Sequence, residues 1–206
     1  IHICYNVNSI DVPKSYSEAI ISNDASEWDL AMQTEMRALE ENDTFELVPP
    51  PKDKEIVGSK LVYAIKTNKD GTDHFKARFV AKGYSQIEGI DYQETFSPTA
   101  HMNSIRVISQ IAVQNDLDIH QMDVKAAYLN APIDCDIYVK QPEGFTITDE
   151  KGNKLVLKLK KSLYGLKQSG RNWNNTLDNY LREQGFKKSV NDPCFYTKDD
   201  NTFLVH

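Results

Sequence analysis

The first clear pattern of apolar positions lies in residues 26–42, where Trp28, Met32, Met36 and Leu39 recur at spacings of 4, 4 and 3. That period places them on one face of a helix, with Ser26 positioned to cap its start and Asn42 to stop it. Pro49-Pro50-Pro51 then breaks the chain. Over residues 58–86 the period falls to two. Leu61, Tyr63 and Ile65 alternate with Lys60, Val62, Ala64 and Lys66. Beyond Asn68-Lys69-Asp70-Gly71, Phe75, Ala77, Phe79 and Ala81 alternate with His74, Lys76, Arg78, Val80 and Lys82. Asp-Gly between two alternating runs predicts a β-hairpin, here with one apolar face and one face carrying a row of cations.

Further along, Ile105, Ile108, Ile111 and Ala112 share a stripe that predicts a helix over 104–115. Residues 118–124 suggest a short strand. Ile137-Tyr138-Val139 and residues 155–159 suggest two more, with a polar stretch at 146–153 between them. Trp173, Leu177, Tyr180 and Leu181 predict a helix over 169–184, with Ser169 as its N-cap and Gly185-Phe186 at its end. Cys194-Phe195-Tyr196 and Phe203-Leu204-Val205 are expected to pair around Asp199-Asp200-Asn201. Strands and helices mix without strict alternation, so the expected class is α+β, a mostly antiparallel sheet with helices packed on one face. The expected division is an N-terminal extension over 1–25, a region over 26–117 that holds the basic hairpin 58–86, and a last region over 118–206. The chain lacks a starting methionine and its last hairpin leaves an open sheet edge, so a fragment is expected.

Composition narrows the classes. No apolar run approaches the roughly 18–20 residues a membrane span requires, and the first residues do not form a signal peptide. Cys4, Cys135 and Cys194 stand far apart, which supports neither a disulfide framework nor a zinc site and fits reduced intracellular thiols. The net charge of −6 is segregated. Residues 11–55 hold 12 acidic and 4 basic side chains, a local net of −8, whereas 58–86 carries +4 and 151–171 carries +7. A polyanion would meet those two basic segments.

The Gly-x-x-x-x-Gly-Lys loop, the Gly-x-Ser-x-Gly elbow and His-Glu-x-x-His are all missing. Asp123 closes the short strand suggested at 118–124. Its carboxylate suits Mg²⁺, but a single Asp could equally be a helix cap or a surface residue. Lys76 and Arg78 on one hairpin face could clamp phosphates, or simply protect an edge. Leu163-Tyr164-Gly165-Leu166-Lys167-Gln168-Ser169-Gly170-Arg171-x-Trp173 lies at a turn into a helix, where backbone amides can face an anion or where a plain capped turn would suffice.

Taken together, these segments match a family. Lys76 to Tyr84 resembles the KARLVAKG stretch of copia-type (Pseudoviridae) LTR retrotransposon reverse transcriptases. Asp91-Tyr92-x-Glu94-Thr95-Phe96-Ser97-Pro98 resembles their DYxETFSPV, and Gln121 to Leu129 resembles QMDVKxAFLNG. Gln141-Pro142-Glu143-Gly144-Phe145 resembles QPxGF, and Ser162 through Trp173 resembles LYGLKQxPRxW. Trp28, Glu35 and residues 42–49 fit as well, so the resemblance runs over about residues 13–206 in order. Gly170 stands where that family commonly has proline.

The resemblance implies an RNA-directed DNA polymerase that uses an RNA template, a DNA primer and deoxynucleoside triphosphates. Residues 26–117 would be fingers and 118–206 a partial palm. Lys76 and Arg78 would face the incoming triphosphate. Asp123 and the Val124 carbonyl would bind two Mg²⁺ ions, and Tyr128 would exclude a 2′-hydroxyl. Tyr164, Gly165 and Gln168 would help hold the nucleotide, while Lys66, Lys82, Lys167 and Arg171 would contact nucleic acid. A Tyr-x-Asp-Asp turn is expected to follow the strand near Phe203, so two of three catalytic carboxylates would lie beyond His206, as would the palm remainder, thumb and RNase H of a Pol polyprotein. The chain alone is then expected to be inactive. The alternatives are a non-catalytic nucleic-acid-binding remnant or a decayed transposon relic. The implied setting is intracellular, in a cytoplasmic virus-like particle and the nucleus, with no membrane partner.

Overall fold

The protein is described by a computed structural model over residues 11–68, 70–199 and 202–205. In chain order the elements are α1 (Tyr16–Ile21), α2 (Ala25–Glu41), β1 (Phe45–Val48), β2 (Ile56–Val57), β3 (Ser59–Thr67), β4 (Asp73–Ala81), α3 (Met102–Asn115), β5 (Tyr138–Val139), β6 (Val156–Leu159), α4 (Ser169–Glu183), β7 (Lys187–Lys188), β8 (Phe195–Lys198) and β9 (Thr202–Val205). Short 3₁₀ turns lie at Gly83–Ser85 and Ala127–Asn130. The class is α+β. The strands form three small sheets rather than the single one expected, and β2 pairs with β5 in parallel. The chain divides into two compact units that alternate along the sequence: residues 1–85 with 137–159, and 86–136 with 160–206.

In the first unit the α2 stripe does what its period predicts. Trp28, Met32 and Leu39 are fully buried, and Trp28 meets Tyr63 and Phe75 edge-on at centroid distances of 5.3 and 4.7 Å. The helix therefore covers the apolar face of the β3–β4 hairpin. Its N-cap is Asp24, not Ser26, while Asn42 does end it. The hairpin pairs Ser59 with Ala81 through to Thr67 with Asp73. Its turn is held by the Asp70 carboxylate, which accepts the Thr72 N–H and hydroxyl, and by Gly71 at a φ of 83°; Lys69 lies outside the described residues. The Glu35 carboxylate accepts the Phe79 N–H at 3.0 Å, so α2 also satisfies a backbone donor of β4.

The sequence reading did not foresee α1, β1 or β2. Helix α1 opens on Ser15, whose hydroxyl accepts the Glu18 N–H, while Glu18 accepts the Lys14 N–H. That is close to the Ser-x-x-Glu capping box. Strand β1 needs β6 as its partner, with Phe45 opposite Leu159. The Gln-Pro-x-Gly-Phe segment closes the β5–β6 connection. The Gln141 side chain donates to the Ile147 and Leu155 carbonyls and accepts the Ile147 N–H. Gly144 sits at a φ of 85° under the Tyr16 ring, where an added Cβ would come within 2.4 Å of the ring.

In the second unit α3 begins two residues earlier than expected. The Ser104 hydroxyl in its first turn donates to the Asp192 carboxylate, which also accepts the Cys194 N–H at 2.9 Å. Those bonds hold the Asp192 carboxyl below its usual range. Within the α3 stripe Ala112 is buried and Ile108 and Ile111 half-buried, but Ile105 is exposed. The strand expected at 118–124 does not form. Residues 117–124 are irregular, with Ile119, Met122 and Val124 exposed. A strand exists only with a hydrogen-bonded neighbour, and here β8 pairs instead with β7 and β9.

Helix α4 is also capped differently from the expectation. Gln168 takes the N-cap position and the Ser169 hydroxyl donates instead to the Leu163 carbonyl at 2.6 Å. Leu181 is buried, Trp173 and Leu177 half-buried and Tyr180 exposed. Asp178 joins α4 to the last sheet: it accepts the Tyr196 hydroxyl at 2.7 Å and pairs with Arg182 at 3.0 Å and Lys188 at 3.3 Å. Strands β8 and β9 pair as expected, Phe195 opposite Val205; residues 200, 201 and 206 lie outside the described residues. Cys135 and Cys194 are free thiols, and Cys4 is outside the described residues. No helix among the described residues is long and apolar enough to cross a membrane.

Candidate nucleotide and nucleic-acid site

The second unit builds two turns from one shared base. Pro132 and Lys161 form an isolated bridge, the Ile133 N–H donates to the Lys160 carbonyl at 3.1 Å, and the Ser162 N–H donates to the Ala131 carbonyl at 2.8 Å. Upstream of that base is the 3₁₀ turn Ala127–Asn130, entered through Ala126 at a φ of 49°. A left-handed alanine costs about 1–2 kcal/mol, and the Asn130 amide braces it by donating to the Ala126 carbonyl at 3.2 Å. Buried Leu129 anchors this turn. Downstream of the base, buried Leu163 and Leu166 anchor the other turn around Tyr164 and Gly165, whose φ is 91°.

The two turns bring Tyr128 and Tyr164 together, with ring centroids 4.7 Å apart and planes inclined at 55°. Asp123 and Val124 lie just ahead of the first turn and are exposed. Asp123, Val124, Tyr128, Tyr164, Gly165, Lys167, Gln168 and Arg171 thus all belong to the second unit. Lys66, Lys76, Arg78 and Lys82 belong to the first.

Gln168 is placed differently from a ligand-facing residue. It is 0% exposed, and its amide donates to the Asp91 carbonyl at 2.9 Å and accepts from the Gln86 side chain at 3.0 Å. Gln86 in turn accepts the Lys167 N–H at 2.8 Å. Cys135 completes the cluster, its thiol donating to the Asp91 carbonyl at 2.8 Å. Burial, followed by neighbouring Asp134, pushes that thiol up to about 11, so it stays protonated and unreactive at neutral pH. Sequence reasoning missed Gln86, Asp91 and Cys135 as one buried network. The only signal was the presence of Asp91-Tyr92 in a family motif.

Two of the expected nucleic-acid cations have internal partners. The Lys167 ammonium donates to the Tyr92 hydroxyl at 3.1 Å and lies 4.9 Å from that ring's centroid. Arg171 pairs with Glu94 at 2.9 Å. In the first unit Lys66 and Arg78 are exposed and Lys76 half-buried, with Lys76 and Arg78 on the polar face of β4. Both act on Glu35: burial pushes its carboxyl up, and the Phe79 N–H, Lys76 and Arg78 offset part of that. The Lys82 stem packs against Gly58, where an added Cβ would meet its Cδ at 3.1 Å.

A two-Mg²⁺ site needs several hard oxygen ligands from neighbouring elements. Among the described residues no group of three or more His, Cys, Asp or Glu is placed to hold a metal ion. Asp123 with the Val124 carbonyl offers one carboxylate and one carbonyl, which does not fit two ions.

The chain belongs to the reverse transcriptase (RNA-dependent DNA polymerase) family, whose model matches residues 42–206. It is 41% identical over 198 residues to the retrovirus-related Pol polyprotein from transposon TNT 1-94 of Nicotiana tabacum, covering 94% of this chain and 15% of that protein. It is 42% identical over 181 residues to the corresponding polyprotein from transposon RE1 of Arabidopsis thaliana, covering 87% of this chain and 12% of that one. The copia-type resemblance is thereby shown. The chain spans only a small part of these curated relatives. No solved structure matches it significantly.

Proposed function

We propose that this chain is the fingers and part of the palm of a copia-type reverse transcriptase, active within a longer Pol polyprotein. The observation that carries the reading is the joining of Tyr164 to Tyr128, which lies five residues after exposed Asp123 in the chain, within the matched reverse-transcriptase family. The reaction is in-line attack of a primer 3′-oxygen on the α-phosphate of a deoxynucleoside triphosphate, with pyrophosphate leaving. Such chemistry is driven mainly by positioning and charge stabilisation. In the second unit Tyr128 closes the space a 2′-hydroxyl would occupy and Gly165 lines the nucleotide; in the first unit Lys76 and Arg78 are cations suited to phosphate. Lys66 and Lys82 meet the template–primer backbone, with Lys167 and Arg171 available once they exchange Tyr92 and Glu94 for phosphate. Within the longer polyprotein Asp123 would be one carboxylate ligand of Mg²⁺, and further oxygen ligands would have to come from elsewhere in it. Template RNA, primer DNA and the remaining palm, thumb and RNase H segments are the partners, in a cytoplasmic particle.

The test is primer extension on an RNA template with the longer polypeptide that contains this segment. Asp123→Asn is expected to reduce extension by at least about a hundredfold, the scale of a lost transition-state contact. Neutralising Lys76 and Arg78 should raise the triphosphate KM more than it lowers kcat. The 206-residue chain alone is expected to extend no primer. Full activity of the Asp123→Asn protein, or Mg²⁺-dependent extension by the short chain, would overturn the proposal.

A further inference from the structure

Tyr128 sits on a strained turn that cannot by itself fix the plane of its ring. Ala126 at a φ of 49° sets where the turn begins and buried Leu129 sets where its far side lies, but Tyr128 itself is only half-buried. The one aromatic contact it makes among the described residues is with Tyr164, at 4.7 Å and 55°. Tyr164 is well placed to serve as a wall. Its neighbours Leu163 and Leu166 are buried, the Leu163 carbonyl is held by the Ser169 hydroxyl at 2.6 Å, and the shared base joins its turn to that of Tyr128 by backbone bonds at 131–133 and 160–162. Tilted aromatic pairs at this distance are favoured over a free ring.

We propose that Tyr164 is a positioning residue for sugar selection: by packing on Tyr128 it sets the ring plane that meets the 2′ position of the incoming nucleotide. This rests on the reverse-transcriptase reading given above. Discrimination against a hydroxyl by shape alone is weak when the wall can yield. A Tyr128 ring free to turn would leave room for a ribonucleotide, while the rest of the nucleotide would bind as before.

The experiment measures kcat/KM for a deoxynucleotide and for the matching ribonucleotide with the longer polypeptide, comparing Tyr164→Ala and Tyr164→Phe. Tyr164→Ala is expected to shrink the preference for deoxynucleotides by roughly tenfold, chiefly through a lower KM for the ribonucleotide. Tyr164→Phe keeps the ring and should restore the preference. Ring-labelled Tyr128 in the 206-residue chain should show averaged ring signals with Tyr164→Ala and unaveraged ones with Tyr164→Phe. An equal loss for both nucleotides with an unchanged Tyr128 signal would make Tyr164 merely structural and would overturn the inference. If the parent polypeptide incorporates neither nucleotide, the reverse-transcriptase reading itself fails and this inference falls with it.

Discussion

Two regions of the molecule differ sharply in how well their apolar residues are covered. In the first unit, α2 and the β3–β4 hairpin bury Trp28, Met32, Leu39, Leu61, Tyr63 and Phe79, and even the spare Phe79 N–H finds Glu35. In the second unit, α3 and the segment after it leave Met102, Val107, Val113, Ile119, Met122 and Val124 exposed, with Val113 at 79% and Met122 at 81%. One region meets its own packing needs from nearby sequence, although the buried Trp28 indole N–H has no hydrogen-bond partner among the described residues. The other carries apolar side chains with little protein against them. Stability of this chain is therefore expected to concentrate in the first unit.

The sharpest break of that contrast is Trp28→Ala. It removes the side chain between α2 and the hairpin and should cost about 3–5 kcal/mol, read by chemical denaturation. Gly144→Ala comes next. The new methyl meets the Tyr16 ring at a positive φ, and a loss of about 2 kcal/mol is expected, read by the same assay and by faster proteolysis near α1.

Glu35 sharpens the comparison through pH. Its folded pKa lies above the unfolded value because burial penalises the carboxylate. Its contribution is therefore fully present below the unfolded pKa and is lost as pH rises through the folded one. Glu35→Gln keeps an acceptor for Phe79 and should flatten that acid-side dependence in thermal melts at several pH values. Glu35→Ala orphans the Phe79 N–H and should cost about 1–3 kcal/mol at neutral pH. The smallest effect is expected from Val113→Gln or Met122→Gln. Each should change the stability of this chain by no more than about 0.5 kcal/mol, because each side chain already faces solvent.

The same contrast marks what could be read from sequence. Local patterns were legible: the α2 stripe, the two-residue alternation of the hairpin, the Asp70-Gly71 turn and the β8–β9 pair all follow from neighbours a few residues apart. The 118–124 strand was not, since a strand depends on a partner elsewhere. Strand β1 failed in the opposite sense, because only Leu159 and its neighbours make Phe45–Val48 a strand. At the site, Asp123, Tyr128 and Tyr164 could be picked out by motif. The commitments of Gln168 to Gln86 and Asp91, of Lys167 to Tyr92 and of Arg171 to Glu94 could not. They join residues some 75–82 positions apart, and nothing in a one-dimensional pattern pairs them.

The pairing of β1 with β6 also has a consequence in time. As the chain leaves the ribosome, Phe45–Val48 emerges long before Val156–Leu159 exists to receive it. At about 5–20 residues per second, the early strand waits for about 5–20 s with its edge unpaired. During that interval the locally closed hairpin and α2 can already fold. The first unit is thus built in two instalments, and a pause in translation between them would lengthen the exposure of β1 without touching the hairpin.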